Sequence, residues 1–410
     1  MHQSENPKNV YWIVVIAALG YFVDIYDLIL YNVVKAESLK SIGIVGAEFK
    51  ASEHILFNWQ MFGMMLGGLV WGILGDKKGR ISVLFGSILM YSLANIANGL
   101  VQNMPQYIIC RFIAGIGLAG ELGAGITLVS ETLHKDKRGI GTMIIVSFGA
   151  LGAVVASQIG GRFAWQTSYF IGGGLGLALL ALRAGALESG MYKSAKAAAN
   201  VQRGNIMMLF KKRSTFIKYL NCILIGVPIW FMIAVLINLS PDFVVLSDGF
   251  PKEKMVGQAV MYAYIGLSAG DLLCGLLSQL LKSRKKVILI YMGISTMVIL
   301  YYLTTPSMTI GHFKLVAFLL GFGTGFWALF VQVASESFGT NIRSTVTNTA
   351  PNFVRGLVVP ITLSYKALAD SMSHQSAAFI VGGVCLGISL LAIYFTKETF
   401  SKDLDYHEIN

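Results

Sequence analysis

Apolar runs of bilayer length, separated by short polar stretches, fill the chain. A hydrocarbon core takes about 20 apolar residues in an α-helix, and runs of that length fall at about 11–34, 53–74, 81–102, 105–130, 140–162, 165–187, 216–240, 255–281, 287–305, 314–338, 344–367 and 375–396. The pattern predicts an all-α membrane protein with twelve transmembrane helices. Residues 188–215, rich in Lys, Ala, Ser and Asn, divide the spans six and six. Two six-helix bundles are therefore expected, over 1–187 and 216–396, joined by a 188–215 linker and followed by a 397–410 tail.

The halves are related. Gly68-Leu69 is followed by Gly86 as Gly275-Leu276 is followed by Gly293, with a basic loop inside each interval, and Glu131 precedes Arg138 as Glu336 precedes Arg343. Parallel repeats of this kind are a transporter plan, with the solute path along the interface of the two bundles.

Composition agrees: 55% of the 410 residues are hydrophobic and 13% charged, far from the balance of a soluble domain. The net charge of +11 does not point to nucleic acid, because the basic residues lie in short clusters between apolar runs. With the N-terminus inside, 22 of the 32 Lys and Arg fall on inner segments and 8 on outer ones, and Arg111 and Arg355 lie within spans. That bias predicts both termini in the cytoplasm. Cys110, Cys222, Cys274 and Cys385 lie in or at the edge of apolar segments with no CxxC spacing, and read as buried thiols. The six histidines sit at segment ends, in loops or in tails, so no metal site is expected. Nothing resembles a nucleophile triad or a phosphate loop, so neither an enzyme nor a cofactor is expected. The first run, from about Tyr11, is too long for a signal-peptide core and carries aspartates.

Ionisable groups at bilayer depth are costly and mark function by default. At about 1.5 Å of rise per residue, Asp27 lies roughly 10 Å below the outer end of its span and Arg111 roughly 9 Å below the same surface. An Asp beside an Arg that can move away is a physical means of coupling proton binding to conformational change; the other reading is a static ion pair. Asp24 is one turn from Asp27 and shares its helical face, so either can hold the proton. Glu121, in the inner half of span four, reads as part of the proton route, as a partner for a cationic substrate group, or as a packing contact. Asp271 and Arg355 agree in depth near the bilayer centre, which suits either a salt bridge between spans eight and eleven or an Arg355 anchor for a substrate carboxylate. Among the polar and aromatic residues able to line a cavity, including Asn58, Gln158, Trp230 and Trp327, the choices are Tyr26, Gln60, Asn348 and Asn352, beside Arg355.

The loop Gly75-Asp76-Lys77-Lys78-Gly79-Arg80 between spans two and three resembles the loop signature of the major facilitator superfamily. Arg111-Phe-Ile-Ala-Gly115 is similar to that superfamily's RxxxG motif in the fourth span, and Glu131 through Arg138-Gly139 to its E-x6-R-G exit. Within the superfamily the fit is to the metabolite:proton symporters and sugar porters: Arg111 through Glu121-Leu-Gly123 resembles an RxxxGxxxGGExG run, Asp24-Ile-Tyr-Asp27 a first-span acidic motif, and Leu187-Glu188-Ser189 and Lys397-Glu398-Thr399 the family's span endings. The sequence departs from the pattern at Ala119, at Asp24, and in the second-half loop Lys282-Ser-Arg-Lys-Lys286, which lacks the Asp and Gly.

The resemblance implies a central cavity that opens alternately to each side, a proton-coupling pair of Asp27 and Arg111, and uptake of a small polar metabolite, a carboxylate or zwitterion. It also implies a charge network of Asp76, Arg80, Glu131, Arg138 and Arg183 that closes one state, in a bacterial inner membrane, with the protein a monomer. The first half is assigned the proton and the second the substrate. An efflux antiporter or a uniporter of the same fold, and a transporter-like sensor, are the alternatives; the absence of a Gly-Pro motif in span five tilts toward uptake.

Overall fold

The computed structural model describes residues 7–133, 137–187, 204–404 and 406–408. Helices stand at all twelve predicted positions. The first half holds Pro7–Ser41, Ala47–Lys78, Arg80–Asn98, Met104–Thr132, Arg138–Gly160 and Trp165–Leu187; the second holds Arg213–Ile237, Lys252–Leu280, Arg284–Thr304, Ile310–Ser337, residues 343–369 and His374–Phe395. These are spans 1 to 12. Most of the expected linker, including Glu188 and Ser189, lies outside the described residues.

Ten spans are individually long and apolar enough to cross a membrane. The other two, spans 2 and 11, pack against each other across the boundary between the halves. That position explains their composition: Ser344, Thr345, Thr347, Asn348, Thr349 and Asn352 are buried in protein and need no compatibility with lipid. Spans 5 and 8 make the second long contact between halves. The outer surface is apolar, as in Leu272, Leu276 and Leu280, successive residues on one face of span 8 that are 42%, 48% and 76% exposed.

Several spans are interrupted, each at an identifiable cause. Span 4 breaks at 119–120, between Met104–Leu118 and Glu121–Thr132. Span 10 breaks at 324–326, between Ile310–Gly323 and Trp327–Ser337. Both breaks fall in glycine-rich runs, where helix propensity is weakest, and they occupy corresponding places in the two repeats. Span 7 carries Pro228, which lacks an N–H to donate, and continues as a π-helical turn over Met232–Ile237. A parallel bridge of Val245–Leu246 with Ser307–Met308 joins the loop after span 7 to the loop after span 9.

Helix pairs inside each half are set by backbone contact at glycine. A Cβ on Gly63 would run into the Phe112 carbonyl oxygen and one on Gly115 into that of Gln60, so spans 2 and 4 touch main chain to main chain. Spans 8 and 10 repeat the device: Gly266 faces the Phe318 carbonyl and Gly321 that of Ala263. All four cysteines are free thiols.

The central cavity expected along the interface is not open in this conformation. Asp24, Asn348, Asn352, Arg355 and Trp327 are all buried at mid-height. The two halves meet at both ends of the spans, through Asp76 and span 11 at one end and through Lys366 and His54 (2.5 Å) at the other.

Replacing Gly321 with Val should push spans 8 and 10 apart and cost about 1–3 kcal/mol, read as a lower unfolding midpoint in detergent. Gly257→Ala on the same span 8, where an added Cβ meets nothing within 4 Å, should leave the midpoint unchanged or slightly raised.

Candidate functional site

Among the described residues five arginines are buried, and three of them, Arg111, Arg183 and Arg355, stand within spans and not at span starts; each is matched differently. Arg111 on span 4 reaches span 2 because Gly115, one turn on, lets the two backbones touch. Its Nη2 donates to Gln60 Oε1. Its Nη1 lies 3.8 Å from Asp27 Oδ1, an ion pair without a hydrogen bond between two fully buried groups. The guanidinium carbon is 4.8 Å from the Tyr31 ring centroid and 6.0 Å from that of Tyr169. Tyr169 shares a hydrogen bond with Tyr107 (2.8 Å), which meets Ser38 (3.1 Å). Helical rise placed Asp27 and Arg111 level, and they do pair. Gln60, expected along the cavity, instead accepts from Arg111, and the tyrosines were missed because an aromatic residue in a span is ordinarily a packing residue. Tyr26, expected along the cavity, donates instead to the Ser168 carbonyl (2.9 Å) within its own half.

Arg183 on span 6 is the most fully matched of the three, through both terminal nitrogens. It makes a bidentate pair with Glu121, Nη1 to Oε1 at 2.9 Å and Nη2 to Oε2 at 2.7 Å, and donates to the Leu84 (2.7 Å) and Ile16 (3.3 Å) carbonyls. Ser87 adds a hydrogen bond to Glu121 (2.9 Å), and Gly20 leaves the space the pair occupies. Arg183 was expected beside Asp76, Arg80, Glu131 and Arg138. Its geometry is different: it lies buried inside the first bundle, since a position near the end of a long helix reaches inward when a carboxylate waits at Glu121.

Arg355 on span 11 occupies the centre. Its Nη1 donates to Asn352 Oδ1 (3.0 Å), and its guanidinium carbon lies 5.5 Å from the Trp327 ring and 6.0 Å from the Trp230 ring. Trp327 donates across the interface to the Tyr21 hydroxyl (3.0 Å) on span 1, one turn from Asp24. The salt bridge considered between Asp271 and Arg355 does not form. Asp271 Oδ1 accepts instead from the Ala328 backbone N–H (2.9 Å), at the start of the helix that follows the span 10 break. A free helix N-terminus offers exposed N–H groups and partial positive charge, and it outcompetes an arginine on another span. Asn352 and Asn348 are interface residues: Asn352 Nδ2 reaches the Ala119 carbonyl (2.9 Å) at the span 4 break, and Asn348 donates to Ser344 (2.9 Å) while packing on Gly123.

At the Asp76 end of the bundle, one carboxylate holds the two halves together. Asp76 Oδ1 accepts from Ser344 N (3.0 Å), and Oδ2 from Thr345 N (2.8 Å) and Thr345 Oγ1 (2.6 Å). Ile342, which precedes Arg343–Gly356, has no side chain to cap that helix; Asp76 supplies the missing cap from the opposite half. Arg80 binds Glu131 (2.9 Å), Asp76 (3.3 Å) and the Thr340 carbonyl (3.0 Å), and Glu131 in turn binds Arg343 (3.1 Å). Arg138 donates to the Leu133 (3.2 Å) and Lys402 (3.3 Å) carbonyls.

The second repeat forms the same pair with Arg284 and Glu336 (3.2 Å), as the matching offsets of Arg80 and Glu131 could have revealed. Its loop has no acid, and Gln279 stands over Gly139 at the start of span 5 instead. Glu398 closes the second-half loop, accepting from Ser283 Oγ and from the backbone N–H groups of Arg284 (2.9 Å) and Lys285 (3.3 Å). Partial burial raises the Glu398 carboxyl, but hydrogen bonds from Ser283, Arg284, Phe400 and Lys285 outweigh it and hold the group below the usual carboxylate range.

Two repeated six-helix bundles with cross-half charge pairs and a buried polar centre define a membrane carrier. The model of the Major Facilitator Superfamily matches residues 17–363, and the chain belongs to that superfamily. It is thus a transporter by family. It is 29% identical over 301 residues, 72% of each chain, to the 3-(3-hydroxy-phenyl)propionate transporter of Escherichia coli K12. It is 24% identical to the sialic acid transporter NanX of the same organism, over 92% of this chain and 89% of that one. Its fold is similar to that of the proton:xylose symporter XylE, with a TM-score of 0.74 over 98% of both chains at 15% identity.

Asp76→Ala should uncap span 11 at a cost of about 1 kcal/mol, and amide exchange over residues 344–345 should accelerate about fivefold in mass-spectrometric measurement. Glu398→Gln should be less stable than the parent at pH 7. Because the folded-state pKa is depressed, the carboxylate's contribution is present above the ordinary range near pH 4 and is lost as pH falls through the lowered value, so the two proteins' melting curves should converge in acid.

Proposed function

We propose that the protein imports a small carboxylate-bearing metabolite together with protons across a bacterial inner membrane, as a monomer with both termini in the cytoplasm. Residues 1–187 and 216–396 are the two moving bodies. The observation that carries the reading is Arg355: a buried guanidinium at the centre, set between the indoles of Trp230 and Trp327 and hydrogen-bonded by one donor to Asn352. Such a group presents paired donors to a planar carboxylate and aromatic faces to the rest of the molecule. The relatives support the class, since 3-(3-hydroxy-phenyl)propionate and sialic acid are both carboxylates.

The proton site is the Asp27 and Arg111 pair. At 3.8 Å the charges interact without being locked, so a small displacement of span 4 against span 1 changes how strongly Asp27 holds a proton. Asp76, Arg80, Glu131 and Arg343 hold the cytoplasmic side closed.

Uptake of 3-(3-hydroxyphenyl)propionate, benzoate and sialic acid into proteoliposomes tests this directly. An inward proton gradient should raise uptake of at least one acid well above its gradient-free rate, and Asp27→Asn should no longer concentrate it. A wild-type rate indifferent to the gradient would refute proton coupling, and accumulation by Asp27→Asn would refute the assignment of Asp27.

A further inference from the structure

Among the described residues of the first half, three buried acids lie away from the Asp76 end, Asp24, Asp27 and Glu121, with two buried cations, Arg111 and Arg183. Glu121 is bound to Arg183 and Asp27 is paired with Arg111. Asp24 has no cation of its own half left. It is 1% exposed, its Oδ1 accepts no hydrogen bond, and the charge acting on it most strongly is that of Arg355, from the opposite half, ahead of Glu121 and Asp27. Arg355 is in the complementary position: Arg111 and Arg183 each have an acid within 4.0 Å, whereas the side chain that Arg355 hydrogen-bonds is the neutral Asn352. The Tyr21–Trp327 hydrogen bond ties the two sides together, since Tyr21 is one turn from Asp24 and Trp327 packs against Arg355. The other groups around Asp24 are Tyr21 on span 1 and Tyr91 on span 3, and Arg355 also faces Tyr264 on span 8.

We infer that Asp24 and the substrate carboxylate compete for Arg355, so that the substrate can take the guanidinium only as Asp24 takes a proton. This rests on the reading of Arg355 as the substrate anchor. Asp24 and Arg355 are both buried, and a second carboxylate beside one guanidinium would be an uncompensated buried charge. The exchange balances: a carboxylate anion and a proton enter, the proton binds a carboxylate oxygen of Asp24, and the charge at the centre is unchanged. Coupling is then built into occupancy of the site. Asp27 and Arg111 respond to which side the site faces, whereas Asp24 responds to whether it is filled.

Binding, separate from transport, isolates the step. Purified protein is titrated with benzoate, nicotinate and 3-(3-hydroxyphenyl)propionate in weak buffer, following tryptophan fluorescence and, with an indicator dye, proton uptake. The wild type should take up close to one proton per carboxylate bound, with Kd rising about tenfold per pH unit above the range where Asp24 is protonated. Asp24→Asn, checked for monodispersity beside Asp24→Glu, should bind with little pH dependence and no proton uptake. Asp27→Asn should keep both. Asp24→Asn retaining the wild-type proton uptake would overturn the competition. Arg355→Gln binding as well as wild type would overturn the anchor beneath it, and failure of every acid to bind wild type counts against both.

Discussion

A guanidinium inside a bilayer must be compensated, and the way three of them are compensated orders the whole molecule. Arg183 is matched at both terminal nitrogens, with a carboxylate and two carbonyls around it. Arg111 is half-matched, by an amide oxygen, tyrosine faces and an aspartate just outside hydrogen-bond range. Arg355 is the least committed, held by one amide and two indoles. The series runs from a fixed strut inside one bundle to a group at the seam between bundles, and that gradient separates scaffold from site. A fully satisfied ion pair resists rearrangement because breaking it strands a buried charge.

The seam follows the same economy of charge. Span 11 is too polar to face lipid, so it is placed against span 2, and its uncapped N-terminus is closed by Asp76 from the other half. The polar sequence, the buried location and the borrowed cap depend on one another. Separating the halves at that end exposes backbone N–H groups and frees Glu131 from Arg343 and Arg80 from the Thr340 carbonyl together, so the end opens as a unit or not at all. The corresponding place in the second repeat holds Gln279, a neutral side chain, over the start of span 5; the two seams share one plan and differ in the charge of the side chain that crosses them.

Span number, the division into halves and the level Asp27 and Arg111 were legible in the sequence because hydropathy and helical rise determine them. Contacts set by competition were not. Asp271 had two partners at the same depth, and only the break in span 10, produced by a glycine run whose effect on the helix is a tertiary matter, presents the N-terminus that takes it. Arg183 looked like a loop charge because it stands near a span end; the space left by Gly20 and the position of Glu121 turn it inward. Trp230 and Trp327 stand among the residues able to line a cavity, but that they flank Arg355, and that Tyr21 joins them, follows only once the cation is placed. Arg284 and Glu336, by contrast, were within reach, since the repeat that relates Glu131 to Glu336 relates their partners as well.

The glycine contacts bear on how such a protein can change over time. Where Gly63 and Gly115 in one half, and Gly266 and Gly321 in the other, bring main chain against main chain, the helix pairing is specified by missing side chains, not by a fitted set of them. Few positions must then be kept for the pairing to survive, and they need only stay small. Neighbouring lipid-facing and cavity-facing positions are released to drift. A chain can in this way keep a fold that superposes on a sugar symporter at a TM-score of 0.74 while sharing 15% of its residues, and the lineage is free to exchange one cargo for another without rebuilding the machine that moves it.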